Sequence, residues 1–228
     1  MIRNIAIAFI LFLNVDGYSQ EFYAAYKKSY SAFKIDKNIS YTISYVNYDG
    51  LKEVSSTTMK VERVDGIVYT EVENMQSYGF DSTSVIINHS DQLIQLNKGV
   101  VPFKQNIQNL ALIEELSAEA ESESKKKVNN QIWYTLHFND QKFKDITMVV
   151  NSKTKVFEKM VYILSEPVHD YQDKNSKPID RFEIRFENLN NSLEELSNPL
   201  NKILRFDGKK FLVMKQYATY QFINNYGL

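Results

Sequence analysis

A mainly β fold with a few helices, the α+β class, is what the sequence predicts, and three observations predict it. Apolar residues recur at every second position through most of the chain, as on a strand with one buried face. Asp-Gly pairs at 49–50, 65–66 and 207–208 punctuate those runs, and Asp-Gly suits hairpin turns whose two central residues both need φ > 0. Helical spacing is confined to the N-terminal region, to 105–124 and to a short stretch before Pro199.

Taken in order, residues 1–19 read as an export signal. Arg3 gives a positive start, Ile5 to Leu13 is an unbroken apolar run, and Gly17 and Ser19 are small residues placed for cleavage before Gln20. Nine apolar residues are too few to cross a hydrocarbon core. Phe22, Tyr23, Tyr26, Tyr30 and Phe33 then form the stripe of an amphipathic helix ending near Ile35-Asp36.

From Ile39 the period becomes two: Ile39, Tyr41, Ile43 and Tyr45 alternate with Ser40, Thr42 and Ser44. Further strands are expected at 57–64, 67–72, 83–88 and 92–97, so 39–97 reads as a five-stranded antiparallel meander. Between 105 and about 124 the alternation stops, and Ile107, Leu110, Ala111 and Leu116 mixed with glutamates predict a helix. Glu119 to Lys127 reads as its charged end, acidic first and then three lysines, as the helix dipole prefers. Strands resume at 131–138, 145–151 and 155–164. Phe182, Ile184 and Phe186 alternate with Arg181, Glu183, Arg185 and Glu187, which predicts an apolar and a wet face. Ser192 and Glu195 make a capping box for a short helix stopping at Pro199, and a last hairpin pairs 202–206 with 210–224. No Pro- or Gly-rich linker divides residues 20–228, so one domain is expected. A chain of this size can bury ~70% of its unfolded surface.

Composition narrows the chemistry. The chain has 228 residues and no cysteine, which removes disulfide scaffolds, thiolate metal sites, cysteine nucleophiles and a cysteine-linked lipid anchor. A net charge of −1 gives no basic surface for nucleic acid or anionic membrane. His89, His137 and His169 are far apart and form no HxxxH pair, so no metal is expected. No GxSxG, GxGxxG or P-loop pattern occurs, and seven scattered glycines do not build a phosphate cradle. Adjacent carboxylates such as Glu114-Glu115 point ~100° apart on a helix, which suits solvated surface better than an acid–base dyad. No catalytic residue and no cofactor is assigned. The 29 Tyr and Phe residues fall mostly at in-facing positions, as core. A large sheet with one apolar face and only about three helices to cover it would leave a greasy concavity if it curved strongly.

Two segments resemble a known family. Met59-Lys60-Val61-Glu62-Arg63-Val64-Asp65-Gly66-Ile67-Val68-Tyr69 is similar to the strand–turn–strand of the periplasmic outer-membrane lipoprotein carriers, the LolA-like superfamily. Val64 stands where those carriers usually have proline. Arg181 to Asn188 resembles the family's late strand running into an Asn turn. The order of elements over residues 20–228 agrees, as for a distant member. The resemblance implies a curved antiparallel sheet forming an unclosed half-barrel. An N-terminal, a central and a short C-terminal helix would lie over its concave side.

It implies an apolar interior for acyl chains, whose candidate lining by period-two counting is Tyr41, Ile43, Met59, Val61 and Phe186. Arg63 matches the arginine that hydrogen-bonds lid backbone in the carriers, and a solvated turn arginine is the other reading of it. The expected function is a soluble, non-enzymatic periplasmic carrier sheltering a lipid or lipidated protein, as in outer-membrane lipoprotein sorting. The alternative is a structural or adaptor subunit that offers the same fold to an envelope protein partner.

Overall fold

The computed structural model describes residues 20–33, 38–80, 83–98, 110–139, 142–169, 177–207 and 210–225. The export segment, the expected helix end at 35–36, the start of the 105–124 helix and Gly208 lie outside the described residues.

Helix α1 (Gln20–Tyr30) runs into a 3-10 turn (Ser31–Phe33), and α2 spans Leu110–Glu119. The first six strands are β1 (Ile39–Asp49), β2 (Lys52–Val64), β3 (Ile67–Val72), β4 (Met75–Phe80), β5 (Thr83–Asn88) and β6 (Leu93–Lys98). After α2 come β7 (Ser122–Val128), β8 (Gln131–His137), β9 (Phe143–Asn151), β10 (Phe157–Val168) and β11 (Ile179–Asn190). The C-terminal segment adds β12 (Leu204–Phe206), β13 (Phe211–Val213) and β14 (Gln221–Asn224). Among the described residues twelve strands form one sheet in the order β14-β6-β5-β4-β3-β2-β1-β11-β10-β9-β8-β7, while β12 and β13 pair separately. The two ends of that order, β14 and β7, do not meet, so the molecule is mainly β with a large sheet not closed into a barrel.

The chain divides into two compact units. The first holds residues up to Phe33, Tyr45–Ser56 and Asn109–Phe186; the second holds Lys34–Ser44, Thr57–Gln108 and Glu187–Leu228. In the first, α1 and its 3-10 turn pack on β10 and β11 through rings: Tyr26 and Phe33 meet Phe157 at 5.0 and 6.0 Å, and Phe33 and Phe157 meet Phe186 at 5.6 and 5.8 Å. Tyr162 stacks on Phe182 at 4.4 Å, where the β10–β11 register sets them opposite. In the second unit β2 to β6 form an antiparallel meander, and β14 adds to β6 in parallel. The Asp65-Gly66 turn has φ of 50° and 81°, the double positive φ that the hairpin reading requires.

Four expectations are corrected. The 39–97 meander has six strands, because Met75–Phe80 is one; it is reached through a tight turn at Glu73, whose φ is 49°. Residues 122–128 are a strand, so α2 ends at Glu119 and the three lysines lie on the edge strand β7. Asn129, with φ of 53°, turns that strand into β8. No helix forms at 192–199: Asn190 Oδ1 accepts from both the N–H and the hydroxyl of Ser192, at 3.0 and 2.9 Å. That Asx turn occupies the place of the cap, and a 3-10 turn, Leu200–Lys202, follows Pro199 instead. Finally, 210–224 is not one strand but β13, a 3-10 turn (Lys215–Tyr217) and β14.

Candidate functional site

One face of the second unit's meander carries Val64, Tyr69, Tyr78, Val85, Ile87, Ile94 and Leu96, all buried. Register explains the set, since Tyr69 pairs with Tyr78, Tyr78 with Val85, Val85 with Leu96 and Ile87 with Ile94, so all share one side of the pleat. The C-terminal segment covers this side with Leu196, Ile203 and Leu204, helped by half-buried Leu193, Leu200, Phe211 and Tyr217. Polar contacts fix the cover in place. Glu62, 2% exposed, accepts the Ser197 N–H at 2.8 Å and pairs with Lys60 Nζ at 2.7 Å. The Tyr78 hydroxyl donates to the Asn198 carbonyl at 2.9 Å, and Asn198 Nδ2 donates to Gln76 Oε1 at 3.2 Å. Burial raises the Tyr78 phenol far above its ordinary pKa, as it does for Tyr69, whose hydroxyl donates to Glu71 at 2.9 Å.

The cover leaves a gap at its edge. A cleft of about 590 Å³ opens between the 64–67 turn, Phe80, residues 194–206 and Phe211. Val64, Ile67, Phe80, Leu196, Pro199, Leu200, Leu204, Phe206 and Phe211 give it apolar walls, and Asp65, Glu194, Glu195 and Asn201 are its polar lining residues. Phe206 and Phe211 meet at 5.1 Å with their rings tilted across the β12–β13 hairpin, and Phe206 is still 53% exposed. Volumes of ~300–1,000 Å³ with apolar walls and a few polar groups are those of small-ligand sites. The sequence does carry a signal for this region: Leu193, Leu196, Leu200 and Ile203-Leu204 recur every three or four residues. That spacing predicts a short helix, whereas here it anchors an irregular covering strap.

The residues expected to line a hollow are placed as follows. Tyr41, Ile43, Met59, Val61 and Arg63 are all buried in the second unit. Met59, Val61 and Arg63 alternate with Lys60, Glu62 and Val64, so they face the side opposite the C-terminal cover. Residues 61–64 are buried without interruption, and β2 is therefore covered on both sides there. Phe186 belongs to the first unit, half-buried against Phe33 and Phe157.

The wet face expected on β11 is corrected. Glu183 is 6% exposed, the most deeply buried residue of its strand, while Phe182, Ile184 and Phe186 are only half-buried. The alternation of faces is kept, but Arg185 Nε at 3.0 Å, Lys159 Nζ at 3.8 Å and Arg181 Nε at 3.9 Å roof the carboxylate over. Long cationic stems exclude water from a charge that sequence alternation marks as exposed.

Sequence reasoning also misses a polar chain across β7, β8 and β9. Ser124 Oγ lies 2.9 Å from His137 Nε2, and His137 Nδ1 lies 2.6 Å from Asp145 Oδ1. The residue types and contacts are those of a Ser-His-Asp relay. Acyl transfer further needs paired N–H donors aimed at a developing oxyanion. On a strand the N–H groups lie in the plane of the sheet, across the direction in which Ser124 projects, so the relay reads as a cross-strand polar ladder. Among the described residues no cluster of three or more His, Asp or Glu could hold a metal ion, and no helix is long and apolar enough to cross a membrane.

No family model matches the sequence, and no curated protein does. Among solved structures, the chain is similar to one in the Pseudomonas aeruginosa MucA/MucB complex, with 12% identity, a TM-score of 0.44, and coverage of 77% of this chain and 58% of that one. This chain therefore spans under two thirds of that protein's length. It is similar to an uncharacterized conserved protein from Thermus thermophilus at 8% identity and a TM-score of 0.46, over 90% and 99% of the two chains. It is also similar to the LolA superfamily protein NE2245 from Nitrosomonas europaea, at 6% identity and a TM-score of 0.31, over 78% and 95%.

Proposed function

We propose that this is a non-enzymatic binding protein of the periplasm, which shelters the acyl chain of a lipid or lipidated protein. The single observation that carries the reading is the apolar cleft beneath the C-terminal strap. Its walls can take up hydrocarbon at ~0.8 kcal/mol per buried CH₂, so about a dozen methylenes offset the cost of ordering a bound chain. Asp65, Glu194 and Glu195 set the sign of the lining, and among the described residues none that lines the cleft is basic. A free fatty-acid carboxylate is disfavoured beside them, and an uncharged acyl ester, as on a lipidated protein, is favoured. Export of residues 1–19 would place the protein in the compartment where such chains travel. The side of the second unit's strands that carries Tyr41, Ile43, Met59 and Val61, with Arg63 as a lid contact, is kept as a second place where the same ligand could lie; Phe186, in the first unit, is left out of it. The single-domain reading of residues 20–228 is kept as well.

The test is titration with a fluorescent diacylglycerol and with a fluorescent fatty acid of equal chain length. The proposal expects the neutral probe to bind more tightly. Leu200→Trp, which fills the cleft, should abolish binding, while Ile43→Trp reports on the opposite face. Loss through Ile43→Trp alone would move the site to that side, and no binding of either probe would contradict the carrier reading.

A platform for an envelope protein partner is the second reading, and one observation favours it. Phe206 is 53% exposed on one face of the β12–β13 hairpin, and Leu212 and Met214 are 39% and 36% exposed on the other face and just after it, exposed apolar surface of the kind that marks protein contacts.

A further inference from the structure

Both carboxylate oxygens of the half-buried Glu123 are shut off from solvent, and among the described residues neither closes a hydrogen bond of good geometry, a costly state for a charged group. The residue lies on β7 opposite Leu136, and the backbone N–H groups nearest its carboxylate are those of Phe22 and Glu21, in the first turn of α1. Lys125 Nζ, 2.8 Å from Glu21 Oε2, ties the same turn to the same strand. The nitrogen of Gln20 is the next along that turn, and Gln20 is the residue that cleavage after Ser19 would make the first of the chain. We propose that Glu123 is the counter-ion of the α-ammonium created at Gln20 by export, so that cleavage itself locks α1 onto β7.

The step balances simply. Water hydrolyses the Ser19–Gln20 amide; the acyl carbon leaves as the Ser19 carboxylate, and the freed amine takes up a proton. An amide nitrogen with one hydrogen and no charge becomes an ammonium with three donors beside an acid whose oxygens lack a well-formed hydrogen bond. Burial pushes the Glu123 carboxyl up to about 7 from the ordinary 4.5; the Phe22 and Glu21 N–H groups and Lys125 pull it down, and the Glu21 carboxylate pushes it up. A carboxyl held high in the folded chain binds its proton more tightly there. The uncleaved arrangement therefore loses stability as pH rises from about 4.5 to about 7, and the loss is complete above that. The ammonium removes this penalty at neutral pH. The inference rests on the export reading of residues 1–19 and is independent of what the cleft binds.

The test compares a chain beginning at residue 20 with one carrying Gly-Ser ahead of it, both with Gln20→Ala to prevent cyclisation of the terminal glutamine, and each with and without Glu123→Gln. The terminal amine of the chain beginning at residue 20 should titrate about one unit or more above the usual ~7.7–8.0. It should return to that range with Glu123→Gln. At pH 7 this chain should melt a few degrees above the extended one, a gap that Glu123→Gln erases. An amine titrating normally in both backgrounds, or a gap indifferent to Glu123, would overturn the pairing. N-terminal sequencing of protein from the native host is the separate arm: a start other than Gln20 overturns the proposal through its export premise alone.

Discussion

Glu183 shows how far single residues can depart from the pattern around them. Its strand alternates apolar and charged side chains, so the sequence marks it as wet, yet Arg181, Arg185 and Lys159 seal it from solvent. The alternation is legible because a strand has a period of two. The sealing is not, because Lys159 comes from the neighbouring strand, and its place opposite Arg185 is set by register. Removing the acid leaves three cations facing one another. Glu183→Ala should cost about 2–4 kcal/mol, read as a lower urea midpoint at unchanged slope; a change under ~0.5 kcal/mol would show the carboxylate to be solvated after all. The Ser124–His137–Asp145 chain should behave oppositely. Ser124→Ala should shift stability by no more than ~0.5 kcal/mol, and a fluorophosphonate probe should leave Ser124 unlabelled. Labelling there would revive a hydrolase.

At the scale of elements, alternation locates five of the first six strands, and Asp65-Gly66 locates their sharpest hairpin. The strand at Met75–Phe80 escapes because Gln76 interrupts the face it shares with Tyr78 and Phe80, and Gly79 is a poor strand former. Ser122–Val128 reads as helix for a related reason: one lysine after another leaves no period to detect. As the edge of the sheet it needs none, since charges on an edge strand discourage pairing with another molecule. Replacing Lys125, Lys126 and Lys127 together with threonine should leave the strand formed but make the protein self-associate at concentrations where the wild type stays monodisperse by light scattering. Unaltered scattering would mean that the edge is shielded by something else. The strap at 193–204 defeats pattern reading because its apolar spacing mimics a helix while Pro199 and the Asx turn at Asn190 forbid one.

For the whole molecule, the mainly β fold class follows from the pattern of strands, while the unclosed sheet is implied only by the resemblance of 59–69 and 181–188 to the lipoprotein carriers. The candidate site does not follow. Period-two counting finds the side of each strand that faces inward, but it does not show what covers that side, and the cleft is made by a C-terminal segment whose helix-like apolar spacing does not correspond to a helix. At residues 61–64 both faces of β2 are buried where the sequence promises one. The carrier reading rests on whether the gap left by the strap holds hydrocarbon in the cell. Native mass spectrometry of the protein purified from its own envelope measures this most directly. The account predicts a co-purifying adduct with the mass of a neutral acylated lipid or an acylated protein, lost in Leu200→Trp. A wild-type protein that carries no adduct, or an adduct unaffected by filling the cleft, would contradict it.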